Sequence, residues 1–202
     1  MLFRSYAATD ERNICADGWE VPSATELDTL FTYLGGGATA SNKLREVGTT
    51  YWTSPNTGAT NEVGFNSRAS GIRIHDGSFV DLIGNMHLWS STAYDATTAR
   101  GRQITPSGIN LTAFGKTRGQ SLRPRKTTTT LTHGQTGTYT GNDGKVYRTI
   151  CIGTQEWLAD NLCETKYRNG DTIPEVTNNA AWAALSTGAL CAYNNDWSNV
   201  LI

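Results

Sequence analysis

The chain has 202 residues, enough for one large domain or two small ones, and its 17 basic against 18 acidic residues leave a net charge of −1. That balance excludes a general attraction for nucleic acid or for an anionic membrane surface. No apolar run approaches the ~20 residues needed to span a bilayer, while 21 glycines, abundant Thr and Asn, and only 17% charged residues suit a turn-rich, sheet-rich domain of secreted type.

In chain order, Met1-Leu2-Phe3-Arg4 runs directly into Ser5-Tyr6-Ala7 with no long apolar segment of a signal peptide. Export would then require a signal outside these residues. Asn13 to Pro22 reads as a loop entering a short strand. Ser23 and Glu26 form a capping box, and Leu27, Leu30, Phe31 and Leu34 make one apolar stripe, so a core-packed helix follows Pro22. Gly35-Gly36-Gly37 is read as its stop signal. A second short helix is expected over Ser41 to Glu46. The run from Gly71 to Phe79 predicts a hairpin turning at Asp76-Gly77, and Asn142-Asp143-Gly144 marks another. Lys145 to Ile152 alternates polar and apolar residues as a half-buried strand does, and Gly153-Thr154 turns it into Gln155-Glu156-Trp157-Leu158. A third helix is expected over Asn179 to Leu185, with Trp182 and Leu185 on its buried face. The cluster Arg123-Pro124-Arg125-Lys126 is read as a solvated strand end, and Thr127 to Gln135 as a linker. Cys15, Cys151, Cys163 and Cys191 contain no C-x-x-C pair, which argues against a zinc or redox centre; two disulfides and four buried thiols both remain open.

Several of these runs together resemble a known family. Asp143 to Tyr147, Ile152 to Leu162, Tyr167 to Pro174 and Gly188 to Asp196 are similar to the opening half of the Fibrobacter succinogenes major paralogous domain. Asn13 to Pro22, Ser54 to Asn61, Gly64-Phe65, Asp76 to Phe79, Leu88 to Thr92 and Gly119 to Arg123 resemble its closing half. The order is reversed relative to the family: residues 1–126 carry the closing half, 127–136 the Thr-rich linker, and 137–202 the opening half. The chain therefore looks like a circular permutant making one compact domain. About ten linker residues reach at most ~35 Å, enough to join neighbouring ends. The same order also fits a subunit whose halves complete neighbouring chains, giving a head-to-tail homo-polymer.

The resemblance implies an α+β, C-type-lectin-like mixed fold with twisted antiparallel sheets, two or three short helices and many loops. Formylglycine-generating enzymes share that fold and use cysteines near its end; where this family usually keeps a cysteine after Ser-x-Arg, the chain has Pro124, which removes a catalytic candidate and a partner for Cys15. His75, His87 and His133 stand in no motif that would activate a nucleophile, and no Gly-x-Ser-x-Gly, His-Glu-x-x-His or phosphate loop is present. No catalytic residue and no cofactor are expected. Asn194-Asn195-Asp196-Trp197 resembles one part of a lectin calcium site but lacks the companion Glu-Pro-Asn triplet, and its residues also suit a turn. Calcium is the minor alternative. In relatives of this fold the Trp-Ser-Ser segment precedes a variable binding surface. Its counterpart runs from Tyr94 to Arg118, with Tyr94, Arg100, Arg102, Asn110, Phe114, Lys116 and Arg118 as candidate ligand contacts, because Tyr and Arg offer contact area and bidentate hydrogen bonds. Trp19, Trp89 and Trp157 are assigned to the core. The expected protein is a non-enzymatic binding or adhesion module, extracellular or on a cell or virion surface, with a glycan or protein as ligand and neither nucleic acid nor membrane insertion.

Overall fold

A computed structural model describes residues 1–200. Its strands are β1 (Leu2–Arg4), β2 (Trp19–Glu20), β3 (Ser70–Arg73), β4 (Phe79–Leu82), β5 (Met86–Ala93), β6 (Thr98–Thr105), β7 (Gly108–Gly115), β8 (Gly119–Gln120), β9 (Arg125–Lys126), β10 (Thr136–Thr140), β11 (Val146–Ile152), β12 (Gln155–Leu158) and β13 (Leu190–Cys191). The helices are α1 (Ser5–Ala8), α2 (Ala24–Tyr33), α3 (Gly37–Leu44) and α4 (Asn179–Ala184). The strands form three antiparallel sheets, ordered β13-β1-β8-β3-β4, β10-β11-β12-β9-β2 and β5-β6-β7. Antiparallel sheets with a few short helices make this an α+β protein.

Strands from the two ends of the chain lie side by side in two of the sheets. β1 lies between β13 and β8, with Leu2 opposite Cys191 and Phe3 opposite Gln120. β9 lies between β12 and β2, with Arg125 opposite both Trp157 and Glu20. The hydrophobic interior is shared in the same way. One cluster joins Phe3, Trp19, Trp89 and Leu122 to Tyr139, Tyr147, Leu162 and Leu190. Another joins Leu27, Phe31 and Trp52 to Ile150, Ile152 and Trp157. Trp19, Trp89 and Trp157 are all buried core residues.

Local signals set several elements. Ser23 caps α2 by accepting the Glu26 N–H, while Glu26 accepts the Ser23 N–H at 2.7 Å. Leu27, Leu30 and Phe31 are the buried stripe. Ile74 N–H closes the β3–β4 turn on Ser78 O, and Thr140 opposite Val146 closes the β10–β11 hairpin. Asn178 caps α4, which buries Trp182.

Three expectations are corrected, and the open choice between disulfides and free thiols is decided. The glycine run both ends α2 and opens α3, because Gly36 and Gly37, both at positive φ, turn the chain into a new helix. That helix spans Gly37–Leu44 rather than Ser41 to Glu46. The basic cluster is a strand end, but Arg123 is fully buried and only Arg125 and Lys126 reach solvent in part. The four cysteines are free, buried thiols. The Thr-rich segment is held against the sheet: Thr127 N–H donates to Gly18 O at 2.8 Å, Thr129 to Glu156 at 2.6 Å, and Gly134 N–H to Cys151 O at 2.8 Å.

Candidate functional site

The β5-β6-β7 sheet stands on the core by its first strand. Met86 to Ser90 are buried, whereas Ser91 and Ala93 are exposed, so β5 leaves the interior and carries its hairpin outward. Asp95 shapes the tip. It accepts the N–H groups of Thr97 and Thr98, each at 2.7 Å, and these bonds push its pKa down to about 2. Pro106 and Ser107 make the tight β6–β7 connection, in which Thr105 Oγ1 accepts the Gly108 N–H at 3.1 Å.

The register distributes the candidate residues over two faces, since directly opposed residues of an antiparallel pair share a side. Arg100 opposes Ala113 and Arg102 opposes Leu111; Gln103 opposes Asn110 and Ala99 opposes Phe114. The Arg100–Arg102 face is turned toward α2. There Tyr94, 60% exposed, lies under the Arg100 guanidinium, 5.2 Å from ring centroid to Cζ. On the opposite face Phe114 packs edge-on against His87 and Trp89, and Arg118 lies 5.1 Å over its ring. Gly101 leaves room for the Phe114 ring on their shared face, because a Cβ there would sit 3.1 Å from the ring and 2.8 Å from Leu88 O. Asn110 donates to Gln103 at 3.2 Å, and Lys116 Nζ reaches back to Ala96 O at 3.1 Å.

Arg102 is placed differently from its expectation as a ligand contact. It is 1% exposed; Nη2 donates to Asp28 at 2.6 Å and Nη1 to Gly101 O at 2.9 Å. Its guanidinium ties β6 to α2, so it is a structural cation. The remaining six form two groups, Tyr94–Arg100 with Lys116 at the tip and Phe114–Arg118 with Asn110 on the reverse. Sequence reading missed Leu111, 62% exposed on β7. With Phe31 and Ile109 it borders a cavity of about 180 Å³ between α2, α3 and the sheet. The unbroken uncharged run Gly108–Gly115, at the edge of its sheet, was the available signal.

His87 links this sheet to β4. It is buried, its Nε2 lies 3.1 Å from Asp81, and burial pulls its pKa down against the opposing pull of that carboxylate. Burial also pushes the Cys191 thiol up to about 11 and the other three thiols upward. High thiol pKa values make poor nucleophiles at neutral pH. Asn194 and Asn195 both adopt positive φ, and Asp196 accepts the Ser198 N–H at 2.9 Å, so this segment forms a turn. Among the described residues no three His, Cys, Asp or Glu side chains gather as a metal site, and no helix is long and apolar enough to cross a membrane.

No curated protein and no solved structure matches the chain. The Fibrobacter succinogenes major domain matches residues 1–144, which include the β5-β6-β7 sheet, the three helices before it and Leu88 to Thr92, one of the runs on which the sequence resemblance rested. That match spans well over half of the polypeptide, and the chain belongs to the Fibrobacter succinogenes major domain family.

Proposed function

We propose that the chain is a non-enzymatic binding module of C-type-lectin-like fold, displayed outside a cell or on a particle, that touches a glycan or protein through the β5-β6-β7 sheet. One observation carries the reading: an exposed tyrosine paired with a guanidinium stands on a hairpin whose root is locked into the core. A tyrosine on a rigid element loses little conformational entropy on contact, and tyrosine and arginine together dominate binding energies. Aromatic faces also stack on sugar rings. The test is a glycan array with a cell-binding assay, comparing the wild type with Tyr94→Ala plus Arg100→Ala. The double variant should lose about 2 kcal/mol or more of binding free energy. Wild-type binding that the substitutions leave unchanged removes the surface from consideration.

A second reading concerns assembly. β13 and β12 sit beside strands from the start of the chain, and the same places can be filled by another copy's residues 137–202. Filling from within gives a permuted monomer; filling from a neighbour gives a filament of half-domain exchange. We favour the monomer; the bonds of Arg123, Arg73 and Arg4 to the second segment form alike whether that segment comes from the same chain or a neighbour. Light scattering at micromolar concentration decides: a single 21.9 kDa species supports the monomer, and a growing mass supports the filament.

A further inference from the structure

A second cavity lies away from that sheet, where the start of the chain, the β3–β4 hairpin and the last described residues meet. Its volume is about 230 Å³. At ~30 Å³ per water this is room for a handful of solvent molecules, below the size of a drug-like pocket. We propose that this cavity binds a small, neutral, polyhydroxylated molecule the size of one sugar ring, a site independent of the binding surface above.

Three observations point there. Asn161 lines the cavity and is only 8% exposed. Its Oδ1 accepts from Arg123 at 2.8 Å, while its Nδ2 donates to none of the described residues. An amide donor open on a cavity wall can serve an acceptor seated there in place of water. Next, Tyr51 and Arg68 stack across the wall at 4.8 Å, giving an aromatic ring beside a guanidinium. Arg68 is the charged side chain among the lining residues, and it is flanked by two carboxylates, Glu46 at 2.5 Å and Asp160 at 3.4 Å. One cation between two anions repels anionic ligands and leaves hydrogen bonding and stacking as the means of recognition.

Ile83 supplies the third. It sits on the rim at φ +53°, a left-handed conformation that a β-branched residue adopts only under constraint, and it stays 41% exposed. Thr53 holds it there, its N–H and Oγ1 both donating to Ile83 O at 2.7 and 3.1 Å. Strain of this kind persists where the surroundings fix it and gathers at ligand clamps. Here it presents an apolar side chain at the mouth of a cavity whose wall is about equally polar and apolar, an arrangement that suits the mixed faces of a sugar ring.

The experiment is an NMR titration of the whole chain with D-glucose, N-acetylglucosamine, myo-inositol and, as the anionic control, D-glucuronate. At least one neutral probe should shift the Asn161 side-chain amide and the Ile83 backbone amide, and glucuronate should not. Tyr51→Ala should weaken that probe by at least about fivefold. Ile83→Gly should raise the melting temperature while weakening the same probe, the signature of strain kept for binding. The proposal falls if no neutral probe moves these signals, if glucuronate binds as well as glucose, if Tyr51→Ala leaves the shifts intact, or if Ile83→Gly lowers stability. Shifts confined to the β5-β6-β7 sheet would also overturn it while leaving the proposed binding surface standing.

Discussion

Arg123 is wholly buried, and its guanidinium donates to Phe65 O, Asn66 O, Leu158 O and Asn161 Oδ1 at 2.5, 2.7, 3.1 and 2.8 Å. Burial lowers its pKa, but the ring of acceptors matches its fork of donors. Arg4 and Arg73 do similar work, Arg4 donating to Trp182 O and Arg73 to Val176 O and Thr177 O, and the two flank Trp182 from 5.2 and 4.4 Å. Truncating one of them strands several buried carbonyls at once. Arg123→Ala should cost about 3 kcal/mol or more, read from urea denaturation. His87 gives the chain a titration. Its folded pKa lies below the ordinary 6.5, so the unfolded chain binds the proton first. Stability contributed by neutral His87 is therefore full above that ordinary value and is lost as pH falls through it toward the folded pKa. The groups facing the ring are Asp81 and Arg118, with Phe114 against its edge. His87→Gln should flatten the fall in urea midpoint between about pH 7.5 and about pH 5.5 relative to the wild type.

At the scale of elements, α2 depends on its cap. Ser23→Ala removes the bond to the Glu26 N–H and should cost ~1 kcal/mol, lowering the melting temperature by ~2–4 °C in a thermal circular-dichroism scan. This helix was legible because cap and stripe lie within a dozen residues of each other. The β3–β4 and β10–β11 hairpins were legible for the same reason, each carrying an Asp-Gly signal at its turn. The start of α3 was not, since a glycine run marks a break without saying whether a helix begins after it. Burial of Arg102 and Arg123 was equally hidden. A charged residue suggests solvent, and what overrides that prior, Asp28 for one and Phe65 O for the other, lies far away in sequence. The candidate surface was half legible. The Tyr94–Arg118 segment was legible as strands and turns, but its faces were set by register, and register comes from the turns at Asp95 and Pro106-Ser107 rather than from any side chain in the list.

For the whole molecule, the four thiols test how the interior is closed. Cys15, Cys151 and Cys191 are inaccessible and Cys163 nearly so. Ellman's reagent should react slowly with the native chain and release four thiols once it is denatured, and the mass should be unchanged by reductant. A native disulfide would contradict this packing. The pairing of β1 with β13 has a further result. Leu2 and Phe3 find their partners, Cys191 and Leu190, only after almost 190 further residues have left the ribosome. Until then the nascent chain exposes an unpaired strand and an incomplete interior. Sheets closed by such distant segments form slowly and invite aggregation while they wait. Synthesis of this protein should therefore lean on chaperones, and refolding from urea should proceed best from dilute solution.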